Sequence, residues 1–507
     1  MERTSRMDKR FIVTSILICI LYLVLRLSFP ETIEFGYDQP RLATRVIEFI
    51  NNGNILETQK FAEKAPWGNI SWGPALFYFY SPFLILTRNP LMISYLVSIF
   101  NIVSVLGVIY LTTKHISKKA GLFAGLILAT QPWWVIFSRM IYQPTPVISL
   151  VIISMLLFFA VIKKPNSPFY SLYILLLAVL VEIYAHTISF AIISVLLLVV
   201  YLKRKIFNRF LFLGFILSLS LILPFFVNFA KEDYLPANSQ NVEENFKIGR
   251  DDPISRFNDI IPGYLKTFAG GNMEYQLGYS YSEFNKKIPI KYFEILISIL
   301  TIIVLLYNLV KIFSSEELRF ERITFLLWSI SPLLFLILMP FPNVPPIPRY
   351  FLISFPALSI LYGLFFSETY RFSKAVLILL LIPIFWIYFM YSYSNFIKNY
   401  DFPNGHLSMY SDTQYLFLFN ALKEANSDSL IKGHGEIIIS NDESFPKEYS
   451  LDYTTRYTLR YMFNNKLFKK DINAGYYLID YSLDKSDLRF DKIGRFGPYS
   501  LYEFKDL

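Results

Sequence analysis

The 507-residue chain is 54% hydrophobic and 17% charged, against roughly 45–50% and about 25% in soluble domains. The excess falls in blocks of about 15–22 residues, the length that crosses a hydrocarbon layer of about 30 Å, which excludes a single soluble domain. The net charge of +9 lies mostly in short clusters beside these blocks, a pattern of membrane orientation that excludes nucleic acid as the expected partner, and a lone cysteine, Cys19, excludes an intramolecular disulfide.

In chain order, basic residues 1–10 and the apolar run 11–25 have the outline of a signal peptide. No small-x-small cleavage site precedes Pro30, so a retained first helix is expected. Apolar blocks follow at 11–28, 91–111, 120–137, 147–162, 169–184, 188–202, 210–227, 292–310, 323–339, 350–366 and 375–391. Every second connection carries positive charge: Lys114, Lys118 and Lys119; Lys163 and Lys164; Lys203, Arg204, Lys205 and Arg209; Lys311, Arg319 and Arg322; Arg371 and Lys374. With Arg3, Arg6, Lys9 and Arg10 these connections are expected in the cytoplasm, giving about eleven crossings with the C-terminus outside.

The block 74–87 is too short to cross, contains Pro82 and is rich in Tyr and Phe, so an interfacial or re-entrant helix is expected there. The outside then holds the loops 31–90, 138–146, 228–291 and 340–349 and the tail 392–507. The reading is a polytopic helical domain over 1–394 followed by a small α/β domain over 395–507. In the tail, 412–425 reads as a helix, 436–440 and 475–481 as buried strands, and 499–504 as an alternating strand. No internal repeat of fixed period is visible.

Candidate chemistry lies on the external side. Asp38, about ten residues past the first helix, could cap a helix beginning near Arg41 or serve as a general base at headgroup level. Arg139 and Arg349 fall at outer helix ends, where a guanidinium fork either pairs with phosphate oxygens or reaches the headgroups. Arg26 reads as an interfacial anchor. Glu182 and His186, at i and i+4, would share a helix face, either as a substrate contact or as a helix–helix hydrogen bond. No P-loop, zinc helix, cysteine cluster or nucleophile elbow is present, and the four histidines are scattered.

Several ordered landmarks resemble glycosyltransferase family 39 of the GT-C superfamily, related to protein O-mannosyltransferases and aminoarabinose transferases. They are Gly36-Tyr37-Asp38-Gln39 after the first helix, Trp72-Gly73-Pro74 with the aromatics Phe77 to Tyr80, Gln131-Pro132-Trp133, Ser138-Arg139, Tyr142-Gln143-Pro144, and Pro348-Arg349-Tyr350-Phe351-Leu352 with Pro356. The resemblance spans roughly residues 10–395. It implies a GT-C fold, a polyprenyl-phosphate sugar donor, inversion at the anomeric carbon and an active site facing outside the cytoplasmic membrane of a prokaryote, with Asp38 as the catalytic carboxylate. Arg349 and Arg139 would hold the donor phosphate, with Tyr37, Gln39, Trp72, Tyr142, Gln143, Glu182 and His186 at the substrate.

The expected partners are the lipid-linked donor, membrane lipid and an acceptor protein, lipid or glycan. Trp72 stands where many relatives have His, and Gln143 and Thr145 stand where some have an acidic residue or Asn, so dependence on a divalent metal is left open. Two other classes fit the composition, a transporter or flippase of lipid-linked saccharides and a non-catalytic scaffold. Neither calls for a long external loop, a large external tail and polar residues gathered at one face.

Overall fold

The computed structural model describes residues 9–33, 38–53, 59–60, 71–72, 74–231, 253–272, 284, 290–338, 347–369, 373–399, 477–480, 490–496 and 499–504. Helix α1 is Lys9–Leu27, α2 Asp38–Asn52, α3 Ala75–Leu86, α4 Pro90–Phe100, α5 Ile102–His115, α6 Lys118–Thr130, α7 Pro132–Phe137, α8 Val147–Lys163, α9 Pro168–Ile183, α10 Ile188–Leu202 and α11 Arg209–Lys231. The series continues with α12 Pro253–Ala269, α13 Ile290–Ser314, α14 Arg319–Leu338, α15 Phe355–Thr369 and α16 Ser373–Asn399. Each apolar block of the sequence therefore lies on helix. Among the described residues five segments are long and apolar enough to cross a membrane, Lys9–Leu27, Pro90–His115, Ala185–Ile206, Lys291–Ser314 and Pro348–Thr369. The expected short helix is α3, whose 12 residues reach roughly 18 Å at 1.5 Å per residue, well short of a crossing.

Local chemistry places the helix starts. Asn89 accepts from Leu91 N at 2.9 Å ahead of Pro90, Ser117 accepts from Ala120 N at 3.1 Å, and Gln131 accepts from Trp134 N at 2.7 Å ahead of Pro132. Side-chain acceptors and Pro at the first helical position are what a helix N-terminus calls for. Helix α6 is central and packs on α1, α5 and α15. A Cβ on Gly363 of α15 would stand 3.0 Å from that of Ala124, so glycine there lets the two helices meet at backbone contact, as small residues do between membrane helices. The best-covered span is Pro348–Thr369, 89% buried, whereas Lys291–Ser314 is 22% buried and turns Ile299, Leu306 and Phe313 outward. Outward apolar faces of this extent suit lipid and not water.

Beyond the bundle, two-residue strands β1 (Gln59–Lys60) and β2 (Ser71–Trp72) pair antiparallel. In the tail, β3 (Tyr477–Asp480), β4 (Phe490–Phe496) and β5 (Tyr499–Phe504) form an antiparallel sheet in the order β3-β5-β4. Two of these fall in the expected strand segments. The third, Phe-Asp-Lys-Ile-Gly-Arg-Phe, has no alternation and is a strand by its pairing with β5, with an irregularity between Lys492 and Gly494. The expected helix at 412–425 and strand at 436–440 lie outside the described residues.

The end of α1 corrects the reading of Arg26 and places Arg139. Arg26 does not reach the headgroups; it is fully buried, with Nε donating to Ser138 Oγ at 2.8 Å and a terminal nitrogen to Ala129 O at 2.8 Å, and its guanidinium lies 3.6 Å from the Tyr22 ring centre. Arg139 is also fully buried. It donates to Phe29 O at 3.0 Å, to Arg26 O at 3.3 Å, and to the Thr32 carbonyl and hydroxyl. The last carbonyls of a helix lack partners within it and carry negative dipole charge, and Arg139 supplies both donors and a cation. Its guanidinium caps α1 and the 3-10 turn Pro30–Thr32.

Arg139→Lys keeps the charge but not the fork that bridges Phe29 and Thr32, and hydrogen bonds to a charged group contribute about 1.5–3 kcal/mol each. The variant is expected to unfold at lower temperature in detergent and to be cut faster by protease between residues 28 and 38. Unchanged melting and cleavage would contradict the capping role.

Candidate active site

Residues far apart in sequence meet at the end of the bundle where α1 finishes. The chain enters α15 through a 3-10 segment, Pro348–Ser354, with proline at its start. Pro348 fixes the backbone just ahead of Arg349. Arg349 is half-buried and donates to the hydroxyl of Tyr142, and its guanidinium carbon lies 5.6 Å from the Tyr142 ring centre and 5.5 Å from that of Tyr350. Among the described residues Arg349 makes no ion pair. A tyrosine that accepts from arginine still has its own proton to donate, so guanidinium and phenol together form a two-donor site for an anionic oxygen.

Tyr142 belongs to the irregular segment 138–146 between α7 and α8. Its backbone is held by a residue that sequence reasoning passed over. The hydroxyl of Tyr80, fully buried on α3, accepts from Tyr142 N at 2.9 Å and lies 2.6 Å from Tyr142 O and 3.2 Å from Met140 O. The signal was present in the spacing Leu76, Tyr80, Leu84, which sets one face of α3 inward. A hydroxyl on an inward apolar face must find a partner.

On the other side of Arg349, the Tyr350 ring stacks on His186 with centres 4.2 Å apart and planes 14° from parallel, and His186 stacks in turn on Tyr184 at 4.7 Å and 23°. His186 therefore belongs to the Arg349 cluster. It does not share a helix face with Glu182: α9 ends at Ile183, Tyr184 is extended at φ −151°, and His186 lies in a separate 3-10 turn, Ala185–Thr187. Glu182 faces α3, where Oε1 accepts from Ala75 N at 3.3 Å, and buried Oε2 has no hydrogen-bond partner among the described residues. A carboxylate at the first amide of a helix also meets the positive end of its dipole.

The remaining candidates are less gathered. Gln39 and Gln143 are buried, at 2% and 8% exposure. Asp38 is the first residue of α2, three residues before the expected start. Tyr37 and the side chains of Asp38 and Trp72 lie outside the described residues. Gln131, Trp133 and Trp386 tie down the carbonyls that end α12, through Gln131 Nε2 to Thr267 O at 3.2 Å, Trp133 Nε1 to Gly271 O at 2.7 Å and Trp386 Nε1 to Ala269 O at 3.0 Å. The Gln131-Pro132-Trp133 landmark is thus engaged in holding the fold. Among the described residues no group of three or more His, Cys, Asp or Glu is placed to hold a metal ion.

No family model and no curated protein matches the sequence. Solved structures do match. The apo oligosaccharyltransferase of Archaeoglobus fulgidus is 14% identical over 93% of this chain, with a TM-score of 0.50, and this chain spans 62% of its length. ArnT from Cupriavidus metallidurans matches over 97% of both chains, with a TM-score of 0.55 at 10% identity in the apo state and 0.54 at 12% bound to undecaprenyl phosphate. At such identities the likeness establishes architecture, and the chain is an integral membrane protein with the fold of the GT-C glycosyltransferases.

Proposed function

We propose that this protein is an inverting glycosyltransferase of the family 39 type that transfers a sugar from a polyprenyl-phosphate donor to an acceptor outside the membrane. The observation that carries the reading is the pairing of Arg349 with Tyr142 at one end of the bundle, in a chain whose fold resembles that of a protein solved with undecaprenyl phosphate. In the reaction Asp38 takes a proton from the acceptor. The acceptor atom attacks the anomeric carbon from the face opposite the phosphate, the bond from that carbon to the phosphate oxygen breaks, and polyprenyl phosphate leaves. Arg349 and Tyr142 hold the phosphate as its charge develops. Phosphate is a fair leaving group, so positioning supplies much of the rate.

The topology that goes with this reading has eleven crossings, the basic connections in the cytoplasm of a prokaryote, and α3 along the outer surface of the membrane beside the lipid path. The catalytic domain is 1–394, and the external domain 395–507 helps receive the acceptor, a protein, lipid or glycan. His186 and Glu182 line the substrate side, with Tyr37, Gln39, Trp72 and Gln143 from the neighbouring loops.

Replacing Asp38 with Asn keeps size and the ability to start a helix but removes the base. Sugar transfer is expected to fall by roughly 10²-fold or more while membrane insertion and yield stay native. Near-native turnover would leave Asp38 a helix-start role only. Arg349→Lys keeps the charge and loses the planar fork, so apparent donor affinity is expected to weaken by roughly tenfold, about 1.4 kcal/mol. Donor titrations that superimpose for the native and Lys proteins would remove Arg349 from the phosphate.

A further inference from the structure

We infer that Tyr80 is a positioning residue that couples α3 to Arg349, so that the helix facing the lipid and the guanidinium facing the phosphate are set together; this rests on the reading of Arg349 given above. The 138–146 segment has few bonds of its own, chiefly Thr145 Oγ1 to Met140 O at 2.8 Å and Thr145 N to Tyr142 O at 3.2 Å. Both backbone polar groups of Tyr142 lie on the Tyr80 hydroxyl. The Tyr80 hydroxyl of α3, together with Thr145 N and the Phe137 ring, therefore holds the backbone that carries the Tyr142 phenol, the partner of Arg349.

A second route starts at the other end of the same helix. Glu182 holds the first amide of α3 through Ala75, and the chain runs on from Glu182 into the turn where His186 stacks on Tyr350, the residue after Arg349. Both routes end on Arg349–Tyr350. The opposite face of α3 exposes Tyr78, Ile85 and Leu86, at 46%, 66% and 73%, an apolar surface suited to an acyl or prenyl chain. A lipid chain seated there would bear on the helix that aligns the phosphate site, whereas a hydroxyl serving only the core would affect stability and nothing else.

The test uses full-length protein in nanodiscs, with binding of undecaprenyl phosphate and hydrogen exchange across 138–146 as readouts. The proteins are native, Tyr80→Phe, Arg349→Lys, the double variant and Tyr362→Phe. The last removes a buried hydroxyl that bonds Thr301 at 2.7 Å within the bundle and is the control for a purely structural loss. Tyr80→Phe is expected to weaken binding about fivefold and to speed exchange in 138–146, and the double variant to bind within about twofold of Arg349→Lys, because residues acting through one contact are not additive. Tyr362→Phe should bind as the native protein does. Native-like binding by Tyr80→Phe, a double variant weakened by the full product of the single effects, or equal weakening in Tyr362→Phe would each overturn the coupling while leaving the transfer reading in place. A native protein that does not bind undecaprenyl phosphate would remove the transfer reading and the coupling together.

Discussion

A backbone amide that is buried away from water and left without a partner costs several kcal/mol. This chain nevertheless interrupts its helices at the end of α1, at 138–146, at 184–187 and at the end of α12. At three of these breaks a side chain from a distant element supplies the missing partner. Arg139 takes the carbonyls after α1, Tyr80 takes the backbone of Tyr142, and Gln131, Trp133 and Trp386 take the carbonyls that close α12. The requirement to satisfy irregular backbone explains why so many large polar side chains are fully buried in a mostly apolar molecule.

Those interruptions are also where the candidate chemistry lies. Arg349 enters on a 3-10 turn, Tyr142 on the 138–146 segment and His186 on a second 3-10 turn. Irregular backbone that protein covers persists only where its polar groups find partners. A half-buried cation with a phenol beside it, on stiff and well-anchored turns, suits holding an anion without rearrangement. The same anchoring makes the two buried arginines at the end of α1 parts of the scaffold. Arg26 donates to Ala129 O at the end of α6 and Arg139 to Phe29 O after the end of α1, so that positive charge meets the negative end of a helix.

Helices were the most legible feature of the sequence, because runs such as 147–162 and 292–310 admit no other solution in lipid. The short α3 was legible too, from its length and Pro82. Individual roles were harder to read. Arg26, Arg139 and Arg349 all stand at helix ends, and a guanidinium there looks the same whether it serves a headgroup, a ligand or a carbonyl. What separates them is the neighbour in space, and Arg349 finds Tyr142 across 207 residues. The helical spacing of Glu182 and His186 misled because nothing local announces that Tyr184 breaks the helix. Tyr80 was hidden among four consecutive aromatics, where only its alignment with Leu76 and Leu84 marks it as inward. Strand β4 was missed because its pattern is set by its partner and not by its own composition.

The central claim is that a bond between sugar and phosphate is broken at the Arg349 end of the bundle. Purified protein incubated with a labelled polyprenyl-phosphate sugar and an extract of membrane acceptors tests it most directly, by following the prenyl and sugar labels separately. The account predicts that free polyprenyl phosphate accumulates in step with sugar bound to acceptor, and that neither product forms without the protein. Donor recovered intact, whether unmoved or carried to the opposite leaflet, would contradict it.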